Sequence, residues 1–369
     1  MQNSVTRRSD IQGMRALAVL LVIAGHLFPS AIPGGFIGVD IFFVISGFVI
    51  TQQMVELHAK YPHTFLRAFY SRRIRRILPS ALLVLITSYC AARYFLGVVA
   101  ANDFTLDGFW ATLFLSNFHF QSQSLDYFAA GISPSLIQHF WSLSIEEQFY
   151  LIWPALFLIT GYLNALRVNR KILLVTLAGA SLFSSLYMSE INSSPIFFNS
   201  LSRVWELALG ALCALITWRK SSHFLLEVTS IVALLACALL IHQSMQWPRA
   251  TTLPVVALTC LLLARAVPTG ALTLLSNPVA RYIGDLSYLL YLWHWPILII
   301  IKSHFTTLGT SEVLIVLLTT TALSIATHHL YENPLRHSQL LISWPRTTIL
   351  IGFSSVAIVA TVFYALHQG

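Results

Sequence analysis

The feature that most constrains this chain is a succession of apolar stretches, each close to the ~20 residues a helix needs to cross hydrocarbon, separated by short polar segments rich in arginine. A backbone in lipid satisfies its N–H and C=O groups only as helices or as a closed barrel. Segments this long select helices. A mean hydropathy of +0.73 and a charged share of 10% lie far from soluble domains, whose charged share is about 25%. The 369 residues hold about eleven spans with short loops and leave no room for a separate soluble domain. The expected fold is all-α: a polytopic transmembrane helical bundle of about ten core spans plus one extra C-terminal span.

Charge sets the direction of each span. Arg7 and Arg8 precede the first span, 13–28, and the positive-inside rule puts that end in the cytoplasm. Span 36–55 returns to an expected cytoplasmic loop bearing Lys60, Arg67, Arg72, Arg73, Arg75 and Arg76, and span 78–96 leaves it. Residues 104–120 are apolar but short and broken by polar side chains, which predicts a re-entrant or half-buried segment. That reading lets span 139–163 end at Arg167, Arg170 and Lys171 on the inner side. Spans 172–188, 201–218 (ending at Arg219 and Lys220), 224–242, 252–267, 286–301 and 313–330 follow, and 348–366 leaves the C-terminus outside.

The net charge of +8 sits in these clusters, so a membrane-lipid partner is expected and a nucleic acid is not. Cys90, Cys213, Cys237 and Cys260 fall inside apolar segments without CxxC spacing and read as small buried hydrophobes. No A-x-A cleavage site follows the first stretch, which reads as a retained span. No internal repeat, GxSxG, P-loop or HExxH is present, and adjacent His328 and His329 cannot share a helix face. No metal site is expected.

The polar residues inside spans carry the chemistry. Arg15 and His26 stand eleven positions apart, roughly 20° past three helical turns, hence on one face and roughly 16 Å apart along the axis. A neutral imidazole there can act as a base or be acylated itself; Asp40 on the second span is an expected partner. Four arginines in the five positions 72–76 fit bidentate phosphate binding as well as topology. Trp141, Glu146, Glu147 and Tyr150 enter a span together, and the adjacent glutamates point different ways, so at least one faces the bundle interior. Arg203 and Glu206 stand three apart, as an intrahelical ion pair or a substrate contact. Tyr288, Tyr291 and His294 form a stripe that suits aromatic anchoring or ligand contact. Glu332 and Arg336 end a span, as helix termination or as part of the phosphate site.

With these residues in place, the chain resembles the acyltransferase-3 family of bacterial membrane O-acyltransferases, closest in kind to lipopolysaccharide O-antigen acetylases. The matching stretches are RSDIQGMRALAVLLVIAGH, GGFIGVDIFFVISGFVIT, FYSRRIRRILPS, QHFWSLSIEEQFYLIWP, RVWELALGA, GDLSYLLYLWHWP and YENPLR. They run from Arg7 to Arg336 in family order.

The resemblance implies a bacterial inner-membrane enzyme that transfers an acetyl group from cytoplasmic acetyl-coenzyme A to a hydroxyl of an extracytoplasmic carbohydrate or glycolipid, with O-antigen as the expected acceptor. It maps the family's basic residue and histidine onto Arg15 and His26, and its paired arginines onto Arg72, Arg73 and Arg75, with Arg76, Glu332 and Arg336 alongside. Gln12 and Phe140 depart from the family pattern, which often has Asp and Thr there. Residues 1–340 are then the acyltransferase domain. Residues 341–369 hold the extra helix that, in many such acetylases, connects to an extracytoplasmic SGNH-type domain. Acceptor choice is expected in outer loops 121–138 and 191–199. The competing readings are a transporter of glycolipid or metabolite without acyl-transfer chemistry, and a structural partner of a glycan-assembly complex.

Overall fold

The structure is a computed structural model that describes residues 8–123, 134–162, 169–191, 195–216, 224–242, 245, 250–264, 273–305 and 307–368. Arg7, Arg167, Arg219 and Lys220, used above to assign direction, lie outside these residues. No strand occurs among the described residues, and the described part of each expected span is largely helical.

The α-helices are α1 (Ser9–Leu27), α2 (Ile37–Lys60), α3 (Phe65–Ala91), α4 (Val98–Thr112), α5 (Ser116–Ser122), α6 (Phe140–Tyr162), α7 (Arg170–Ile191) and α8 (Ser200–Leu215). They continue through α9 (Phe224–Leu240), α10 (Thr252–Ala264), the short α11 (Thr273–Ser276), α12 (Pro278–His304), α13 (Thr310–Thr327), α14 (Asn333–Arg336), α15 (Gln339–Ser343) and α16 (Pro345–Gln368). Among the described residues, seven helical stretches are long and apolar enough to cross a membrane; α9 and α10 are apolar but shorter.

Local chemistry sets several boundaries. The Asn199 side chain accepts the backbone N–H groups of Leu201 and Ser202 to open α8. Asn277 caps α12 through Ala280 N–H with Pro278 in the first turn, where its missing N–H is harmless. The 104–120 segment is divided, as its polar interruptions imply: α4 ends at Thr112, Phe114 takes φ 54°, and α5 starts at Ser116. Gln148 ties this break to the bundle, donating to the Phe114 carbonyl at 3.0 Å and accepting from Ser200 Oγ at 2.7 Å.

One sequence expectation is corrected. Arg67 to Arg76 do not lie in a loop, because α3 begins at Phe65 and carries all five of these arginines on its first three turns. Phe65 and Phe69 are buried on one side of that segment, so it is amphipathic and gains packing by staying helical.

Two close helix pairs frame the interior. Gly284 on α12 abuts the Gln12 carbonyl of α1, where any Cβ would collide. Gly47 on α2 and Gly210 on α8 likewise meet the carbonyls of Leu207 and Val44. Arg15 meets Ser287 and His26 meets His294, so α1 and α12 run parallel. Asp40 and Arg203 extend the α2–α8 contact in the same sense. The last helix, α16, packs on α3 and α4 through Ile74, Phe104 and Tyr89, and leaves its other face exposed.

Candidate active site

Five helices enclose a cleft with about 760 Å³ of empty space. α1 contributes Arg15, α2 Ser46, α3 Arg73 and Arg76, α6 Ser142, Glu146 and Tyr150, and α12 Ser287, Tyr288 and Tyr291. Helical phase explains the grouping. Positions 73 and 76, and 142, 146 and 150, recur every three or four residues and share a face. Seven residues singled out in the sequence therefore meet on one cavity: Arg15, Arg73, Arg76, Glu146, Tyr150, Tyr288 and Tyr291.

Their side chains are held from behind. Arg15 Nε donates to Ser287 Oγ at 3.1 Å, and Ser46 Oγ donates to a Glu146 carboxylate oxygen at 2.8 Å. The Arg73 guanidinium lies 4.5 Å from the centre of the Tyr150 ring, within cation–π range. The Tyr288 hydroxyl donates to the Ile77 carbonyl at 2.9 Å, and that of Tyr291 to the His139 carbonyl at 2.9 Å. With Arg15, Arg73 and Arg76 against Glu146, the lining favours an anion. Glu147 lies outside the lining but within the field of Arg73 and Arg76.

Beyond Tyr291 lies a cluster of imidazoles. The His26 and His294 rings stack at 5.3 Å, and Trp295 meets His26 edge-on at 4.6 Å. His139 packs against Tyr291 at 5.5 Å and His294 at 5.7 Å. The hydrogen bonds fix the tautomers. His294 Nδ1 faces two carbonyls, Tyr291 at 2.6 Å and Leu290 at 3.2 Å, so it carries the hydrogen. In the neutral ring its Nε2 is then an acceptor, and His26 Nδ1, 3.1 Å away, donates to it. His26 Nε2 is then the unprotonated ring nitrogen, the form a base or nucleophile needs.

His139 was not singled out in the sequence. Its role follows from Pro296, which has no N–H to bond the Leu292 carbonyl four residues earlier. That carbonyl instead accepts His139 Nε2–H at 3.1 Å, and the opposite atom, His139 Nδ1, is buried without a partner. A histidine opening one helix and a proline two residues after His294 on another are the signal that could have found it. Ser46, Ser142, Ser287 and Trp295 were missed as well, because single hydroxyls and an interfacial tryptophan carry little sequence information. Among the described residues, no group of three or more His, Cys, Asp or Glu side chains converges as a metal ion requires.

Other expected residues lie elsewhere. Asp40 pairs with Arg203 at 3.0 Å and Arg203 with Glu206 at 3.0 Å, all of them buried in the α2–α8 contact. Phe43, Trp141 and Phe197 ring the Arg203 guanidinium at 5.4–5.7 Å. Asp40, expected beside His26, is thus engaged in an ion triad with Arg203 and Glu206. Trp141, Arg203 and Glu206 do not line the cleft. Glu332 bonds His328 at 3.2 Å and lies 3.9 Å from Arg336; both contribute to the field at Arg76 without lining the cleft. Arg72 and Arg75 face away, into a second pocket. The outer-loop residues 124–133 and 192–194 lie outside the described residues.

Fold and cleft together define a multi-pass membrane protein with an anion-favouring cavity beside a hydrogen-bonded histidine pair. The chain belongs to the acyltransferase-3 family, described as an acyltransferase domain, which matches residues 8–329. It is 32% identical over 347 residues to YrhL of Bacillus subtilis, provisionally named a peptidoglycan O-acetyltransferase, covering 88% of this chain and 54% of that protein. It is 32% identical over 309 residues to the peptidoglycan O-acetyltransferase OatA of Listeria monocytogenes, covering 78% and 49%. The O-acetyltransferase OatA of Staphylococcus aureus is 28% identical over 350 residues, covering 88% and 57%. The chain spans about half the length of these relatives. No solved structure matches it.

Proposed function

We propose that the chain is an O-acyltransferase that moves an acetyl group from cytoplasmic acetyl-coenzyme A to a hydroxyl of an extracytoplasmic carbohydrate. The observation that carries this reading is the arginine-lined cleft whose wall residue Tyr291 packs against His294, the partner of His26. Arg73, Arg76 and Arg15 hold the donor's phosphates, with Tyr150 supporting Arg73. The pantetheine arm then runs along α1, bringing the thioester to His26. The N-terminus lies in the cytoplasm and the C-terminus outside, where α16 connects to an SGNH-type domain in a longer protein.

Two routes use the same unprotonated His26 Nε2. In direct transfer, Nε2 takes the acceptor's hydroxyl proton while its oxygen attacks the thioester carbonyl. The C–O bond forms, the C–S bond breaks, and the imidazolium returns the proton to the leaving thiolate. In the carrier route, Nε2 itself attacks, the C–N bond forms as C–S breaks, and the acceptor hydroxyl later displaces the acetyl group from the ring. The hydroxyl proton is released on the acceptor side as the C–N bond breaks, and the coenzyme A thiolate takes up a proton on the donor side. The carrier route suits a donor and an acceptor on opposite sides of a membrane.

The names of the relatives favour a peptidoglycan sugar as acceptor over the O-antigen sugar expected from the sequence. Mass spectrometry of surface glycans from cells with and without the chain distinguishes the two. His26→Ala abolishes O-acetylation; intact O-acetylation with altered glycolipid transport would instead establish a transporter. Labelled acetyl-coenzyme A without acceptor tests the carrier route. Absence of label on His26, under quenching that preserves acyl-imidazoles, excludes it.

A further inference from the structure

The arginines of α3 divide by helical phase. Arg73 and Arg76 face the cleft, whereas Arg72 and Arg75 face a second pocket with about 940 Å³ of empty space, between the start of α3 and the α15–α16 junction. Arg67 and Arg346 complete its charge, giving four guanidiniums, and no carboxylate is among the lining residues. Arg75 is the built part of the pocket. It is 9% exposed, and its Nη1 donates to Ser71 Oγ at 2.8 Å and to the Leu341 carbonyl at 3.1 Å. Its Nε is buried with no partner. A desolvated guanidinium N–H without an acceptor, beside three more cations of the same sign, is the complement of a phosphate oxygen.

The surroundings indicate where such a phosphate comes from. Tyr61 and Trp344 stand on the rim, 37% and 64% exposed, as aromatic side chains do at the headgroup level of a bilayer. The apolar run of α3 continues from Ile77, and the outward face of α16 presents Leu350, Ile351 and Phe353. Acyl chains would lie along that face. We propose that this pocket binds the phosphate of an anionic phospholipid headgroup, with Arg75 Nε–H as the buried donor and Arg67, Arg72 and Arg346 as its counter-charges. The site is distinct from the cleft and shares only α3 with it.

Native mass spectrometry of the full chain, titrated with phosphatidylglycerol or phosphatidylcholine in detergent, reads the retained lipid directly. The expected result is a preference for phosphatidylglycerol of about tenfold, because both headgroups carry the phosphate but only choline adds a cation that the four guanidiniums repel. Arg72→Gln combined with Arg346→Gln changes only exposed side chains, so the protein folds and the preference disappears. Arg73→Gln, on the opposite face, retains it. Equal retention of the two lipids by the unaltered chain, or undiminished preference in the double variant, overturns the proposal. Adenosine 3′,5′-bisphosphate is the soluble competitor. Binding of that compound in preference to phosphatidylglycerol, lost in the double variant, assigns the pocket to a soluble phosphate ester and overturns the lipid source.

Discussion

Replacing His294 by Phe tests the chemistry assigned to the histidine pair. His294 is 1% exposed and stacked on His26, so a phenyl ring of similar size keeps the packing while removing the acceptor for His26 Nδ1–H, together with the Nδ1–H that faces the Tyr291 and Leu290 carbonyls of its own helix. A neutral hydrogen bond is worth about 0.5–1.5 kcal/mol net, and a buried donor left unpaired costs about 1–3 kcal/mol. At ~1.4 kcal/mol per factor of ten, the fixed tautomer is therefore worth about a tenfold to hundredfold change in rate. His294→Gln supplies an amide oxygen that accepts from the same N–H and recovers most of the loss. The assay is transfer of labelled acetyl from acetyl-coenzyme A to soluble glycan fragments by the protein in proteoliposomes. The expected pattern is a lower kcat with an unchanged donor KM. A Phe variant with unaltered kcat, or a folded Gln variant as impaired as the Phe variant, refutes the tautomer argument.

Gly284→Ala drives a methyl group into the Gln12 carbonyl; the overpacking costs about 1–3 kcal/mol and lowers the melting temperature in detergent. Arg203→Ala leaves Asp40 and Glu206 buried without their cation, at a cost of about 3–5 kcal/mol; an unchanged melting profile would show that the triad has no structural role. Tyr150→Leu removes the ring beneath Arg73 and raises the donor KM by about twofold to tenfold, from a cation–π contact of ~0.5–1.5 kcal/mol. Tyr150→Phe keeps the ring and the unaltered KM, so equal effects of the two substitutions count against that contact.

Much of the architecture was legible because hydropathy and the 3.6-residue period act locally. The face shared by Arg15 and His26 is borne out by their meetings with Ser287 and His294 on one neighbouring helix. The broken 104–120 segment was readable for the same reason. The arginine cluster shows the limit. Its density was visible, but placing it in a loop hid the phase that separates Arg73 and Arg76 from Arg72 and Arg75. Long-range partners were not readable at all. Asp40 is near His26 in sequence, yet its ion partner is Arg203, and nothing local distinguishes a carboxylate that faces a histidine from one that faces a remote arginine. His139 required knowing that the Leu292 carbonyl, released by Pro296, points across the bundle at α6.

The glycine contact between α1 and α12 also acts as a gauge. A side chain one position along would turn by about 100° and rise by about 1.5 Å, so a slip of a single residue would take Gly284 off the Gln12 carbonyl and bring a bulkier neighbour onto it. The same two helices carry His26 and His294. Their separation is thus set by backbone pressed against backbone about three to four turns away, at a point where neither helix has a side chain that could yield.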